Sequence, residues 1–179
     1  MENFDRRKFK ELVLYVADQS GGDPTFGAIK LNKILFFSDF LSYAHRGRSI
    51  TGAAYQKLPY GPAPKAMLPI QEEMLESGDA DLVPADYFGR DQKRLAARRE
   101  PNLNLFEDEE IALVDKVMNA LIFETATSVS DLSHQWAGWQ LAEVKEDLPY
   151  FTVFLLPPEL PAAVQATGVE LARKLGLAA

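Results

Sequence analysis

At 179 residues and 47% hydrophobic content, the chain is long and apolar enough to bury one sizeable core, which excludes intrinsic disorder. A formal charge of -7 argues against a protein whose main task is gripping phosphate backbones, because that affinity needs clustered Lys and Arg; the absence of cysteine excludes disulfides, thiolate nucleophiles and thiolate metal sites. The start, MENFDRRKFKELVLYV, lacks the apolar core of a signal peptide, and no apolar run reaches the roughly twenty residues that span a bilayer, so a cytoplasmic protein with no membrane association is expected.

Phe9, Leu12, Val13, Val16 and Ala17 fall at i, i+3, i+4, i+7 and i+8, which predicts an amphipathic helix over residues 4–19, stopped by Gly21 and Gly22. Asp23, Pro24 and Thr25 form a turn, with Thr25 the expected N-cap of the next helix. That helix, Ile29 to His45, carries Ile34, Phe37, Leu41 and Ala44 on one face and Leu31, Leu35 and Phe36 on neighbouring ones. A surface helix shows a single stripe, so this one is predicted to be the buried centre of the domain. Its Lys30 and Lys33, one turn apart, are expected to snorkel over core rather than to form a base-stacking platform with Phe36, Phe37 and Phe40.

Ala53 to Leu58, between Gly52 and Pro59, reads as a short strand or extended connection. In Tyr60-Gly61-Pro62, the proline pushes Gly61 out of the right-handed helical region, while Pro62 and Pro64 have the φ of a first helical turn. Met67, Ile70, Met74 and Leu75 then form a helix stripe ending at Gly78, with Pro69 either kinking the helix or marking its start. Asp81 to Tyr87 and Lys93 to Arg99 flank Gly89 and predict a β-hairpin whose outer face is basic, with Pro84 at an edge.

Phe106-Glu107-Asp108-Glu109-Glu110 opens a helix with the stripe Ile111, Val114, Val117, Met118 and Leu121, its acidic first turn complementing the helix dipole. Ser128 to Asp131 has capping-box spacing and introduces a short helix through Leu132 to Trp136, with Gly138 and Trp139 in a turn. Pro161 starts a last helix bearing Val164, Gly168, Leu171 and Leu175, which Gly176 ends. The fold class is therefore α+β, mainly α: a helical domain around a central buried helix with a small β-hairpin or short sheet.

The chain offers little to catalysis. Asp131, Ser133 and His134 are triad residue types, but Ser133 and His134 are adjacent on one helix and point apart; Asp131 and His134 could pair, as a structural anchor. His45 is remote from His134, no metal-ligand spacing occurs, and neither GxxxxGK[ST] nor GxGxxG is present, so no catalytic residue, metal or cofactor is expected. Arg90, Lys93, Arg94, Arg98 and Arg99 form a possible basic contact surface, and a helix followed by a basic hairpin resembles a winged helix. A solvated face or a surface for an acidic partner competes with nucleic-acid binding there. Phe36, Asp39 and Tyr43 share one helix face and mix aromatic and charge as interface centres do, with core packing the competing reading. Tyr60 beside Gly61-Pro62 is either a structural turn or a hydroxyl handle at a groove.

Lys30-Leu31-Asn32-Lys33-Ile34-Leu35-Phe36-Phe37, then Gly47-Arg48, Tyr60-Gly61-Pro62, the acidic-led helix at Phe106, Val129-Ser130-Asp131-Leu132-Ser133-His134, Gly138-Trp139 and Leu148-Pro149-Tyr150 follow one another in the order seen in the Panacea, or SocA-like, antitoxin domain. The chain resembles that family over most of residues 5–155. Departures are mild: Phe36 where a hydroxylated aromatic is common, Ala63 where Val is usual, and Leu148 where Ile is usual. The resemblance implies a bacterial or phage-associated antitoxin of a toxin-antitoxin system, which neutralises a cognate toxin by direct binding and is not an enzyme. One branch delivers its toxin to a AAA+ protease. It also implies that Lys30, Lys33, Phe36, Tyr60, Gly61, Pro62, Asp131, His134 and Trp139 are motif residues with structural or partner-binding roles, to which the helix face of Phe36 adds Asp39 and Tyr43. Residues 1–155 are then the antitoxin domain, and residues 156–179 an extension whose amphipathic helix packs on it. The alternative is a nucleic-acid-binding regulator using the basic hairpin.

Overall fold

The computed structural model describes residues 3–87 and 90–155 and shows an α+β, mainly α, fold. Helix α1 (Arg6–Gln19) starts at an Asp5 cap and leads through a 3-10 turn, Ser20–Gly22, into the central helix α2 (Ala28–Arg46). The hairpin β1 (Tyr55–Leu58) and β2 (Gly61–Pro64) precedes α3 (Met67–Glu76); a second hairpin, β3 (Ala80–Tyr87) and β4 (Arg90–Ala97), precedes α4 (Asp108–Leu121). Helices α5 (Ala126–His134) and α6 (Ala137–Leu141), strand β5 (Asp147–Leu148) and a 3-10 segment, Tyr150–Phe154, close the described chain. The predicted helix after Pro161 and the proposed extension at 156–179 lie outside the described residues. Among those described, no helix is long and apolar enough to cross a membrane.

Helix α2 is buried almost all round because its neighbours surround it: α1, α4, α5, β2 and the last 3-10 segment all touch it. Phe36 and Phe40 join Tyr55 and Trp136 in edge-to-face and tilted contacts at the centre of the core. Gly47, at φ +72°, ends α2 and donates its N–H to Tyr43 O, while His45 and Arg46 place positive charge at the negative end of the dipole.

Several local expectations are corrected. Thr25 does not cap α2, which begins after Gly27; the Thr25 hydroxyl lies within bonding distance of the Asp23 carboxylate, the Glu124 carbonyl and Lys30 Nζ. Pro62 and Pro64 lie in β2 rather than in a first helical turn, and β2 is the edge of a sheet ordered β2-β1-β5, where missing N–H groups are tolerated. Pro69 is the third residue of α3, where an N–H would have no intrahelical partner. The cap of α5 is Thr125, which accepts the Ser128 N–H, so the helix begins nearly a turn before the predicted box. Gly138 and Trp139 lie in α6. A Cβ on Gly138 would come within 2.4 Å of Thr152 Oγ1, so glycine serves close packing of α6 on the last 3-10 segment.

Candidate functional site

The tip of the first hairpin is Pro59-Tyr60, closed by the Leu58↔Gly61 pair. A backbone loop carries carbonyls that a two-strand ladder cannot satisfy, and side chains from separate helices reach them. Trp139 Nε1 of α6 donates to Leu58 O at 3.3 Å, Ser130 Oγ of α5 to Tyr60 O at 3.1 Å, and Lys33 Nζ of α2 to Pro62 O at 2.9 Å. The motif segments that are far apart in sequence thus converge on one turn. Gly61, at φ +96°, is the point where they meet: a Cβ there would sit 2.3 Å from Ser133 Oγ and 2.5 Å from Lys33 Cε.

The clamp is itself braced. The His134 ring stacks on Trp139 at 3.9 Å and 11°, and Lys57 Nζ lies 4.3 Å from the centre of the Trp139 ring while donating to Ala142 O at 2.8 Å. Ser133 Oγ donates to Ser130 O at 2.7 Å, fixing the turn of α5 that carries the Tyr60 contact. The Tyr60 side chain remains 69% exposed although its backbone is held on both sides.

Lys33 is only 2% exposed, and Pro62 O is its one hydrogen-bond acceptor among the described residues. Burial lowers its pKa from 10.5 to about 7. A base whose folded pKa is depressed stabilises the fold fully above its unfolded pKa and loses that contribution as pH falls through the folded value. Wild type is therefore expected to gain stability relative to Lys33→Met as pH rises from about 7 to 10.5, with a slope approaching ~1.4 kcal/mol per pH unit. The other groups facing Lys33 are Ser133 and His134 of α5 and the carbonyl of β2, and His134 is held below its ordinary pKa first by burial and then by Lys33, against the pull of Asp131. Urea melts of both proteins across this window check the slope; parallel curves would show that the amine is hydrated.

The remaining expected site residues fall into distinct settings. Lys30 does not snorkel: it is buried against Asp23 Oδ2 at 2.7 Å and the Ile122 carbonyl at 3.3 Å. Phe36 and Asp39 are fully buried and belong to the core, whereas Tyr43 is half-buried and stacks on Tyr150 at 5.5 Å. Asp39 accepts from Ile50 N, Thr51 N, Thr51 Oγ1 and Tyr55 OH at 2.6–2.9 Å, which fixes the loop leading into β1. Asp131 is exposed and makes no hydrogen bond to His134, so the anticipated pairing is replaced by the stack on Trp139. Ser133 is buried and bonded to its own helix, leaving Asp131, Ser133 and His134 without a shared hydrogen-bond chain.

The basic hairpin is also rearranged. Period two places Lys93 on the face of Leu95, where it lines a cleft with Phe26 and Leu31 while remaining exposed. Arg98 pairs with Asp81 at 2.5 Å, and Arg99 pairs with Asp79 at 2.6 Å and Glu11 at 2.7 Å. Arg94 is half-buried; the side chain of Arg90 lies outside the described residues. Sequence reasoning passed over Ser130 and Lys57 as site residues. Ser130 lay three positions from Ser133 in the Ser-Asp-Leu-Ser-His segment, the spacing that puts both on one helix face.

Among known proteins, the family described as antitoxin SocA-like, Panacea domain, matches residues 31–140, which is more than half of the chain and includes every side chain of the clamp. Neither the curated proteins nor the solved structures give a match.

Proposed function

This chain belongs to the SocA-like Panacea antitoxin family, and on that premise we propose that it neutralises a cognate toxin protein by binding it directly, as a non-enzymatic module. The match over residues 31–140 carries this reading. It is supported by the clamp, whose polar side chains are directed at backbone carbonyls and hold a shaped surface in place. Antitoxin action by sequestration needs a stable complementary surface and no chemistry.

Expression of the product of the adjacent reading frame alone is expected to arrest growth, and co-expression with this chain to restore growth and yield a co-purifying complex. A harmless neighbour and no complex would overturn the reading. Repeating the co-expression with and without a AAA+ protease separates simple sequestration from delivery for degradation. The alternative of a nucleic-acid-binding regulator has weaker support, because Arg98 and Arg99 face carboxylates of this chain.

A further inference from the structure

We propose that the Pro59-Tyr60 tip is the docking element of this chain, with the Tyr60 ring seated in an apolar pocket of a basic partner protein. This rests on the antitoxin reading and assigns it a surface. A turn joining two short strands requires only residues suited to its backbone, and Asn, Asp, Gly or Ser satisfies that requirement without exposing an aromatic ring. Here a tyrosine occupies the tip and is 69% exposed. The side chains around it bond to Leu58 O, Tyr60 O and Pro62 O, so they hold the backbone and leave the ring free.

That arrangement suits binding. A ring presented on an immobilised backbone loses little conformational freedom when it docks, and tyrosine is among the residues that dominate interface energy. Gly61, at positive φ, lets the tip turn directly over Lys33 and Ser133, where a side chain would not fit. Lys33 acts as a positioning residue: its buried amine reaches the tip from α2, the most deeply held element of the fold. Helical hairpin supports come from three directions, α2, α5 and α6, so the tip does not depend on its two-strand ladder alone.

Charge selects the partner. The chain carries -7 overall, and the exposed Asp131 follows Ser130, the residue that holds Tyr60 O. The nearby Lys57 is engaged with Ala142 O and the Trp139 ring. A cationic partner is therefore drawn toward the acidic chain by its overall charge.

The test uses the full chain and the purified product of the adjacent reading frame. Tyr60→Ala is expected to weaken the complex by about thirtyfold or more with an unchanged melting temperature, while Tyr60→Phe retains most of the affinity. Phe123→Ser serves as the comparison, since Phe123 is 92% exposed and outside the clamp; its affinity is expected to match wild type. Lys33→Met is expected to fold and to bind more weakly, and the association rate of wild type to fall with added salt. Wild-type affinity in Tyr60→Ala, or an association rate indifferent to salt, would overturn the docking proposal while leaving the antitoxin reading intact. A wild-type chain that neither binds this protein nor restores growth would remove both.

Discussion

Gly61→Val is expected to destabilise the protein by about 3–5 kcal/mol. A positive φ costs an L-residue roughly 1–2 kcal/mol, and forcing extra atoms into a filled site adds about 1–3 kcal/mol, more for a β-branched side chain. Both terms apply at φ +96°, where a Cβ would stand 2.3 Å from Ser133 Oγ and 2.9 Å from Lys33 Nζ. The lysine end would ordinarily move aside, but Lys33 and Ser133 are both buried and would each give up a hydrogen bond, to Pro62 O and to Ser130 O. For a chain of this size the melting temperature should fall by about 10 °C. An unchanged melting temperature with lost partner binding would show instead that the tip accommodates a side chain and that Gly61 matters for recognition alone.

Asp39→Ala is expected to be comparably severe, at about 3–5 kcal/mol, because it strands buried donors. Ile50 N and Thr51 N point at Oδ1, and Thr51 Oγ1 and Tyr55 OH at Oδ2. Tyr55 also packs on Phe36 and Phe40, so losing its hydroxyl partner loosens the aromatic centre. Asp39→Asn distinguishes hydrogen bonding from charge. Its oxygen still accepts both backbone donors, and its amide can donate to the two hydroxyls, so a loss of about 1 kcal/mol is expected. Burial raises the Asp39 pKa above its ordinary 3.8, against the pull of the Thr51 and Tyr55 hydrogen bonds. Stability linked to a raised acid is complete below the unfolded pKa and is lost as pH rises through the folded one. Asp39→Asn should therefore improve relative to wild type as pH increases from about 4 to neutrality. Paired urea melts at the two ends check this; a constant difference would place the charge in contact with water.

Much of the fold was legible because it follows from local rules. The apolar positions of Phe9 to Ala17 and Ile111 to Leu121 repeat with the helical period, and these segments became α1 and α4. The crowded apolar faces of Ile29 to His45 predicted a buried central helix, and α2 is that helix. The β3–β4 hairpin was visible from its flanking pattern, but β4 begins at Arg90 rather than Lys93, since main-chain pairing at a hairpin end tolerates polar side chains. The prolines misled at Pro62 and Pro64: a fixed φ near -65° suits both a first helical turn and an edge strand, and only the neighbouring β1 decides between them.

The sequence by itself determined the helical periods, the central place of α2, the order of the family motifs, and hence membership of an antitoxin family. Only the tertiary structure decided what those motifs do. Lys33, Ser130 and Trp139 are separated by up to about a hundred positions, and hydrogen bonds to a turn's carbonyls leave no periodic trace in residue order. Burial likewise depends on which elements surround a side chain. That is why Lys33, indistinguishable in the sequence from a snorkelling surface lysine, lies beneath Gly61, and why the Tyr60 ring faces outward while its backbone is held.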